Sequence, residues 1–450
     1  MRLILFLFIY TTFITAQTYY VDNNPNNDDA NFRTIEEAID NVQVGDTILI
    51  KAGTYHERIY IETSGTQAKP IVIKNYKNDK VIIDGTGITW DGTWGGLLHI
   101  DRCSYIKVSG LTIQHSTHAG IFLDNAHYVN IENMKTYDTF SSGIGVWNCS
   151  DIEVSSNEVN LACNDGEQEC ISVSNSHHVN VTYNEVHHSG PGTNGGEGID
   201  IKEGSYDVAV KYNEVHHIYG GSRPGLYADA WNVPTHHILF DSNRVHHIAG
   251  NAMSVASEMG GPLKYVTFVN NIIYENADGG LIVGGWTAEG EEVSSNPVEH
   301  ISIINNTFYN TGGDGIYIDN TYAKDIKIYN NIIQSRDKVE LPLYMKEDVN
   351  LSEVDIRNNL VDSEPYSYGQ IGDIVGDPLF VDATHGDFHL QIDSSAIDAG
   401  LQDNFSLLDY DKNSRLKNGL WDIGAYEYKK EPSTIDTDFA FLIPIWYLLL

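Results

Sequence analysis

The stretch Gly198-Ile199-Asp200-Ile201-Lys202 indicates the architecture of the chain, because its alternation of apolar and polar residues recurs at a regular distance along the sequence. The next copy is Gly225-Leu226-Tyr227-Ala228-Asp229, and a third begins at Met253. The first apolar residues of these copies, Ile199, Leu226 and Met253, are spaced 27 residues apart. Strict alternation predicts β-strands with one buried face, so we expect each copy to be one strand of a repeating unit.

An asparagine also recurs inside short apolar alternations, at intervals of 24 to 35 residues. Each interval holds two or three strand patterns and no helical pattern, so one unit cannot bury its apolar side alone and must stack on its neighbours. This predicts an all-β right-handed parallel β-helix of about 9–11 coils, with the asparagines hydrogen-bonded from coil to coil. A propeller of longer, four-stranded blades is the alternative. The recurring asparagines are Asn133, Asn157, Asn184, Asn213, Asn243, Asn271, Asn306, Asn331 and Asn359.

The regions around the repeat have different patterns. In residues 17–59, the apolar residues of Phe32–Val42 have helical spacing, which predicts an N-terminal helix that caps the first coil. The repeat itself is expected over residues 60–362. Residues 363–430 carry strand and turn signals without a period, and we expect them to form a β cover for the exposed edge of the solenoid. Residues 431–450 form an apolar tail whose apolar run is shorter than the roughly 20 residues of a membrane-spanning helix.

The first residues have the composition of an export signal. Residues 1–16 combine the positive charge of Arg2, an almost unbroken apolar run from Leu3 to Ile14, and the small residue Ala16. This order is typical of a cleaved signal peptide. It predicts that the mature protein is exported and is periplasmic, attached to the cell surface or secreted.

The charge balance restricts the partners. The chain has 27 basic and 62 acidic residues and a formal net charge of −35. Such an acidic excess disfavours binding to nucleic acid, whose phosphates require basic residues. We expect a monomer without a nucleic acid partner.

Four cysteines are too few to form the scaffold of an exported chain of this length. Cys163 and Cys170 bracket a polar loop and could pair. Cys103 and Cys149 occupy matching positions two coils apart, at roughly 9–10 Å for normally stacked strands. That distance is too long for a disulfide, so both are expected to be free, buried thiols.

Two short segments carry a resemblance to known proteins. They are Gly53-Thr54-Tyr55, which follows the predicted helix and a strand, and Asp422-Ile423-Gly424-Ala425-Tyr426-Glu427 near the C-terminus. Over about residues 19–428 the chain resembles right-handed parallel β-helix proteins secreted by bacteria of Bacteroidetes type. Within that group it is most similar to uronate-acting polysaccharide lyases and related eliminating enzymes. The resemblance implies a lysine base paired with an arginine, often with calcium, and here those roles map onto Lys202 and Arg223.

The outward face of two adjacent coils concentrates ionisable residues. If Ile199, Leu226 and Met253 point inward, then Asp200 and Lys202 point outward on one coil, and Tyr227 and Asp229 on the next. Vertical neighbours should be about 4.8 Å apart, which places Lys202 beside Asp229 and Asp200 beside Tyr227. The surrounding loops and turns add Tyr219, Arg223, Trp231 and Glu258.

This set matches the requirements of β-elimination at a uronic acid. The reaction needs a cation for the carboxylate, a base for the C5 proton, and an acid for the oxygen leaving C4. Lys202 or a deprotonated Tyr227 could be the base, and Arg223 could hold the carboxylate through two hydrogen bonds. Tyr227 or a histidine could be the acid. A structural Lys–Asp pair on the surface of the sheet is the alternative explanation.

Histidine pairs recur on three successive coils, at His187-His188, His216-His217 and His246-His247. Such a stack could bind a metal or relay protons, or it could simply be a surface ladder of like residues. One member of each pair is expected to share the groove of Lys202. We assign His217 and His247 as candidate catalytic residues.

The acidic residues support two other interpretations. Asp200, Asp229, Trp231, Glu258 and Tyr219 are the candidate substrate-binding residues. The carboxylates would also suit a glycoside hydrolase. No cofactor follows from the sequence with certainty, but Ca²⁺ is a candidate at Asp200, Asp229 and Glu203, because calcium takes several oxygen ligands.

The sequence therefore predicts an enzyme, a carbon–oxygen lyase acting on acidic carbohydrate. It would form a 4,5-unsaturated uronate, either as a polysaccharide lyase or as an oligosaccharide dehydratase that releases water at the nonreducing end. Ulvan or alginate is the expected source of substrate, by family resemblance. The alternatives are a glycoside hydrolase on the same fold and a non-catalytic glycan-binding solenoid of the cell surface.

Overall fold

The structure is a computed structural model of the 450-residue chain. It describes residues 15–429 apart from 165–166, 192–193, 220, 286–295, 297, 337–340, 363–366, 403–406 and 416–419. The predicted signal peptide, except for its last two residues, and the predicted apolar tail lie outside the described residues. Within the described part, no helix is long and apolar enough to cross a membrane.

The described chain winds through three long parallel sheets, which we number in the order in which each coil visits them. The first and second sheets have 13 strands each and the third has 11. Eleven successive coils therefore have a strand in the third sheet, which confirms the right-handed parallel β-helix and the expected number of coils. The first sheet comprises Thr18–Val21, Thr47–Ile50, Ile71–Asn75, Ser104–Ser109, His127–Glu132, Ser150–Ser155, His177–Thr182, Tyr206–Lys211, Thr235–Asp241, Leu263–Val269, Val298–Ile304, Lys324–Tyr329 and Val354–Arg357.

The other two sheets complete each coil. The second sheet comprises Gly53–Tyr55, Val81–Asp84, Leu111–Ser116, Lys135–Thr139, Glu158–Asn160, Glu185–His187, Glu214–His216, Arg244–His246, Ile272–Tyr274, Thr307–Thr311, Ile332–Ser335, Leu360–Val361 and Ile374–Val375. The third sheet comprises Ile59–Ile61, Gly96–Asp101, Ala119–Asp124, Ile144–Trp147, Ile171–Ser174, Ile199–Lys202, Leu226–Ala230, Met253–Ser257, Leu281–Gly284, Ile316–Ile318 and Leu343–Met345.

Smaller elements lie outside the three long sheets. A parallel two-stranded sheet joins Glu167–Gln168 to Asn194–Gly195, and an antiparallel one joins Phe380–Asp382 to Asp387–Leu390. Short 3₁₀ helices occupy Leu351–Glu353 and Ala383–His385.

The alternating pattern positions the side chains as the sequence predicted. Ile199 pairs in register with Leu226, which in turn pairs with Met253, and all three are fully buried in one continuous core. Asp200 pairs with Tyr227 on the opposite, outward side of the same strands. Because inward positions carry almost only aliphatic residues, each coil buries its apolar side against the coils above and below.

The asparagine ladder is confirmed from Asn157 to Asn359. The Nδ2 amide of each asparagine donates to the Oδ1 of the next over 2.9–3.1 Å, and the last one donates to Asp373. Asn133 is not a member, contrary to the prediction. It takes the preceding turn position, with a left-handed φ of 53°, and the Met134 backbone amide donates to Asn157 instead. Asparagine tolerates a left-handed backbone, so it fits both positions.

The predicted N-terminal helix is shorter than its pattern and spans Ile35–Asn41. Thr34 caps it, because its side chain accepts a hydrogen bond from the Glu37 backbone amide. Ile35, Ala38 and Ile39 are buried in the main core. The helix therefore covers the apolar end of the first coils.

The C-terminal region lies mainly along the outer face of the second sheet, whereas we expected it at the exposed edge. Apolar residues of this region, including Phe388 and Ile423, pack on outward side chains of the second sheet such as Ile272 and Ile332. Since these outward positions are apolar in the later coils, they require a cover. The fully buried Arg415 holds it in place through Glu427, Asn270 and the carbonyl oxygens of Gly424 and Ala425. Ile374–Val375 extends the edge of the second sheet, and Ile371 pairs with Arg357 at the edge of the first.

Candidate active site

Ionisable side chains gather on the outward face of the third sheet, around the strands Ile199–Lys202 and Leu226–Ala230. Although they point away from the core, Asp200 is 2% exposed, Asp229 5% and Lys202 9%. Two loops that lead into third-sheet strands pair with each other beside them, through Gln168 and Gly195. We call the charged members of this site the charged cluster, which comprises Glu169, Glu197, Asp200, Lys202 and Asp229.

Lys202 is the buried cation of the cluster. Its Nζ lies 2.7 Å from Glu169 Oε1 and 3.2 Å from Gln168 Oε1. Burial lowers the pKa of Lys202, but the negative charges of Glu169, Asp200 and Asp229 together outweigh it and raise the pKa above its ordinary value. The ammonium is therefore protonated at neutral pH, which favours a role as a cation over the role of base expected from sequence.

Glu197 and Arg223 form a second ion pair at the edge of the cluster, with Arg223 Nη1 3.2 Å from Glu197 Oε1. Burial, and then the charge of Glu169, raise the pKa of Glu197 to about 7, while the Arg223 charge lowers it. A carboxyl that titrates near neutrality can accept a proton from substrate and return it. Arg223 is 37% exposed in its side chain and so faces the solvent side of the site.

Asp200 and Asp229 lie on adjacent strands and interact strongly. Burial raises the pKa of Asp200 well above its ordinary value, and the Asp229 charge raises it further. Burial also raises the pKa of Asp229, against the lowering effect of Lys202. The predicted neighbours are thus together: Lys202 acts electrostatically on Asp229, and Asp200 stands beside Tyr227 in register.

Tyr227 is 4% exposed, and its hydroxyl donates a hydrogen bond to Glu258 Oε1. Burial, and then the Glu258 charge, raise the pKa of Tyr227 well above its ordinary value. A tyrosine in this environment keeps its proton, so the structure favours Tyr227 as an acid. The alternative role of a deprotonated base has no support from these surroundings.

Several oxygens of the cluster are buried without a hydrogen-bond partner. They are Glu169 Oε2, Glu197 Oε2, Asp200 Oδ1 and Asp229 Oδ1. Carboxylate oxygens are what calcium prefers, yet nowhere in the described ranges do three His, Cys, Asp or Glu side chains come close enough to hold a metal ion. The expected calcium set of Asp200, Asp229 and Glu203 is therefore not assembled, and Glu203 instead accepts a hydrogen bond from Ser174.

The histidine pairs follow strands of the second sheet and not the third. Rings stack at 4.9–5.0 Å from coil to coil, and the two Nδ1 atoms of each pair lie 2.6–2.7 Å apart. His247 Nε2 lies 3.2 Å from Glu275. His217 thus contacts neighbouring histidine rings and His247 contacts Glu275, and the structure does not bring either of them together with Lys202. We call the two stacks the histidine rows, which comprise His187, His216 and His246 in one and His188, His217 and His247 in the other.

Two predicted substrate-binding residues are much more exposed than the cluster. Tyr219 is 53% exposed, and its ring lies 5.9 Å from those of His188 and His217, so it belongs with the histidine rows. Trp231 is 37% exposed directly after the strand Leu226–Ala230. It remains near the end of the site strand without a ring contact to another described residue.

Sequence reasoning missed Glu169 and Gln168, which are the closest partners of Lys202. A signal for Glu169 was present, because it precedes Ile171 by two residues just as Glu197 precedes Ile199, and Ile171 pairs in register with Ile199. Gln168 carried no such signal.

Cys163 and Cys170 bracket the loop that carries Gln168 and Glu169. All four cysteines are free and buried in the structure. Cys103 and Cys149 are thus free, buried thiols, as predicted, and the pairing considered for Cys163 and Cys170 is not formed. Burial, and then the neighbouring Cys170, raise the pKa of the Cys163 thiol well above its ordinary value.

Comparison with known proteins shows which β-helix proteins the N-terminal part of the chain is similar to. Residues 14–165 match the family described as Pel9A-like, right handed beta helix region. The chain is 37% identical over 102 residues to the uncharacterised protein YwoF of Bacillus subtilis, covering 21% of this chain and 22% of that protein. It is 29% identical over 144 residues to pectate lyase PEL9 of Emericella nidulans, covering 28% of this chain and 35% of that protein. The chain thus aligns with about a fifth to a third of the length of these curated relatives.

A solved structure shows the same fold over nearly the whole chain. The crystal structure of pectate lyase Pel9A has a TM-score of 0.55 and 15% identity, and the match covers 92% of this chain and 97% of that one. At this identity the likeness shows the fold alone. The chain has a right-handed parallel β-helix fold like that of this structure, and the resemblance to β-helix proteins related to uronate-acting lyases is confirmed.

Proposed function

We propose that this protein is an exported enzyme that acts on acidic carbohydrate by β-elimination at a uronate, giving a 4,5-unsaturated uronate. The observation that carries the proposal is that the ammonium of Lys202, the carboxyl of Glu197 and the hydroxyl of Tyr227 are buried around two adjacent strands of the third sheet, where Arg223 pairs with Glu197 and Tyr227 donates to Glu258. These are the cation, the base and the acid that the reaction requires. The match to the Pel9A-like family and to pectate lyase PEL9 supports the same reaction class.

In this mechanism Lys202 and Arg223 receive the carboxylate of the uronate. Lys202 exchanges part of its interaction with Glu169 for the substrate, and the half-exposed Arg223 binds from the solvent side. Their positive charges stabilise the additional negative charge that develops on the carboxylate when C5 loses its proton. The low-dielectric surroundings strengthen this effect.

Glu197 takes the C5 proton, and Tyr227 donates a proton to the oxygen that leaves C4. The electron pair of the C5–H bond forms the C4–C5 double bond as the C4–O bond breaks. Tyr227 then recovers a proton through Glu258, to which it is hydrogen-bonded. If the leaving oxygen is a glycosidic bridge, the product is a cleaved chain; if it is a hydroxyl at the nonreducing end, the product is water.

A glycoside hydrolase is the second candidate, because Asp200 and Asp229 are two coupled carboxyls on adjacent strands with raised pKa values. One protonated and one ionised carboxyl would suit acid and base roles at a glycosidic bond.

One experiment separates these reactions. The protein is incubated with ulvan, alginate and pectate oligosaccharides, and the ultraviolet absorbance of the conjugated double bond is followed together with the masses of the products. Absorbance with chain cleavage indicates a lyase, and absorbance with loss of one water from the intact oligosaccharide indicates a dehydratase. Cleavage without absorbance would contradict the proposal and favour the hydrolase. Binding without any reaction would favour a glycan-binding solenoid.

A further inference from the structure

A cavity opens on the same outward face of the third sheet, closer to the N-terminus than the charged cluster. It has a volume of about 200 Å³ and is walled by aromatic rings. Pockets that enclose a drug-sized ligand typically measure roughly 300–1,000 Å³, so this cavity suits a single sugar-sized ring. We call it the aromatic cavity, and its main walls are Trp94, Phe122, Phe140, Trp147 and His118.

The walls form a connected set of ring faces. Trp94 and Trp147 lie 4.7 Å apart between ring centroids, and Phe122 meets Trp147 edge-on at 5.4 Å. Gly145 is needed for this arrangement, because a Cβ at that position would lie 2.7 Å from Phe122 Cδ2. Trp147 is anchored in turn by the hydrogen bond from its Nε1 to Ser172 Oγ, at 3.3 Å.

The aromatic cavity adjoins the charged cluster through one shared residue. Gln168 lines the cavity, and its Oε1 accepts a hydrogen bond from Lys202 Nζ. The strands that carry Trp147 and Lys202 are two steps apart in the third sheet, roughly 10 Å at the usual strand spacing. A single oligosaccharide can therefore extend from one site into the other.

The two sites differ in charge. The cavity lining comprises Thr93, Trp94, Gly95, His118, Ala119, Phe122, Phe140, Ser141, Ser142, Trp147 and Gln168, which contains no Asp, Glu, Lys or Arg. A uronate placed there would lose hydration, and the guanidinium of Arg58 behind Gly95 is already engaged by the Gly96 carbonyl, His99 and the Trp90 ring. A neutral pyranose would instead lay its C–H face on the rings and direct its hydroxyls to the serine, threonine and glutamine groups.

We propose that the aromatic cavity binds a neutral sugar ring next to the reacting uronate. This inference rests on the proposed function, since it takes the charged cluster as the uronate site. The substrate class is then a mixed glycan in which uronate and unsulfated neutral sugars adjoin. A polymer made only of uronates lacks the ring that the cavity selects.

The test compares wild type and Trp94→Ala on two oligosaccharides of equal length: one alternating glucuronate with rhamnose, and an oligogalacturonate. Wild type should favour the mixed oligosaccharide, and the substitution should raise its KM about tenfold with little change in kcat. Any activity of wild type on the oligogalacturonate should be unaffected by the substitution. Tyr128→Ala is the matched control, because Tyr128 and Trp94 are both 48% exposed and Tyr128 lies on the first sheet.

A second variant and a binding measurement keep the two proposals separable. Gly145→Ala should displace Phe122 toward the cavity, so it should also raise the KM for the mixed oligosaccharide. Quenching of tryptophan fluorescence by the mixed oligosaccharide reports on the cavity without any reaction, so it remains informative if elimination is absent. Equal binding of both oligosaccharides, or unchanged binding in Trp94→Ala, would overturn the neutral-sugar site whatever the chemistry. Hydrolysis with a preference for the mixed oligosaccharide would instead contradict elimination, while the neutral-sugar site would still be supported.

Discussion

The charged cluster and the histidine rows are both stacks of ionisable side chains in successive coils, yet burial acts on them in opposite directions. In the cluster, burial raises the pKa values of Asp200, Asp229 and Glu197, which favours protonation. In the rows, burial lowers the pKa of His217 to about 4, helped by the neighbouring histidines, which disfavours protonation. The cluster also contains the cation Lys202, which compensates the negative charge of the carboxylates, whereas the rows repeat one residue type. A stack thus becomes a chemical site when unlike charges are buried together.

The largest expected effect is from Lys202→Met, which removes the cation that the cluster surrounds. We expect kcat/KM for elimination to fall by at least about 10³-fold, because a buried charge that stabilises the transition state is lost. The measurement is the initial rate of double-bond formation, with circular dichroism to verify folding. Lys211→Met is the control, since Lys211 forms an ion pair with Asp241 on the first sheet and is far more exposed. Near wild-type activity in Lys202→Met would mean that the cluster is structural.

Tyr227→Phe should have the next largest effect. Loss of the proton donor should lower kcat by about 10²–10⁴-fold. Tyr329→Phe provides the comparison, because Tyr329 also donates to a carboxylate, Asp355, over 2.5 Å, but on the first sheet. If both substitutions leave the rate of double-bond formation unchanged, Tyr227 is not the acid.

The Glu197–Arg223 pair should set the pH dependence of the reaction. If Glu197 is the base, kcat/KM should increase with pH through about 7, since the carboxylate is the active form. Arg223→Gln should move this rising limb of the pH–rate profile to higher pH, because the Arg223 charge lowers the pKa of Glu197. Glu197→Gln should abolish the limb altogether.

The same residue gives a stability test with a defined sign. The folded-state pKa of Glu197 is raised from 4.5 to about 7, so the folded state loses stability as pH rises through that window. The Tm of Glu197→Gln relative to wild type should therefore increase between about pH 5 and about pH 8. Glu427→Gln is the matched variant, because burial also raises the pKa of Glu427 to about 7 beside Arg415. It should show the same trend in Tm without any effect on the kinetic limb.

The smallest effect on activity is expected from His217→Gln, within about twofold of wild type. Its effect should appear in acid instead. The folded-state pKa of His217 is lowered from 6.5 to about 4, so its contribution to stability is present above pH 6.5 and is lost as pH falls toward about 4. The Tm of the variant should consequently decrease less than that of wild type on acidification. His389→Gln should change the slope oppositely, because Asp387 and Asp411 raise the pKa of His389 against the effect of burial. A large loss of activity in His217→Gln would instead show that His217 takes part in catalysis, as the sequence predicted.

Sequence alone predicted what depends on local alternation. The inward positions of Ile199, Leu226 and Met253, the outward register of Asp200 with Tyr227, and most of the asparagine ladder follow from a period of two within strands and a regular spacing between them. These features require no knowledge of where loops lie.

The partners of Lys202 could not be predicted in the same way. Glu169 and Gln168 reach it from a loop that pairs with Asn194–Gly195. The position of Glu169 two residues before Ile171 is a periodic signal, but nothing in the repeat indicates that this loop turns toward Lys202. The sequence also did not show that the histidine rows belong to the second sheet, because the length of a turn does not indicate which of the three sheets the preceding strand joins. The pKa shifts of the charged cluster could not be predicted either. They arise because outward side chains are buried by loops, whereas alternation alone predicts that outward side chains face solvent.

The asparagine ladder described above has a direction. Every side-chain amide of the ladder donates one N–H to the Oδ1 of the next ladder residue and the other to a backbone carbonyl of the preceding coil, while its Oδ1 accepts from the N-terminal side. The bonds between the side chains therefore all run in one direction along the solenoid. The row begins at the Met134 backbone amide, which donates to Asn157, and ends at Asp373, whose carboxylate Oδ1 accepts from Asn359. Because every step between these two residues repeats the same bonds, a new coil that carries its own asparagine can be inserted at any point between them.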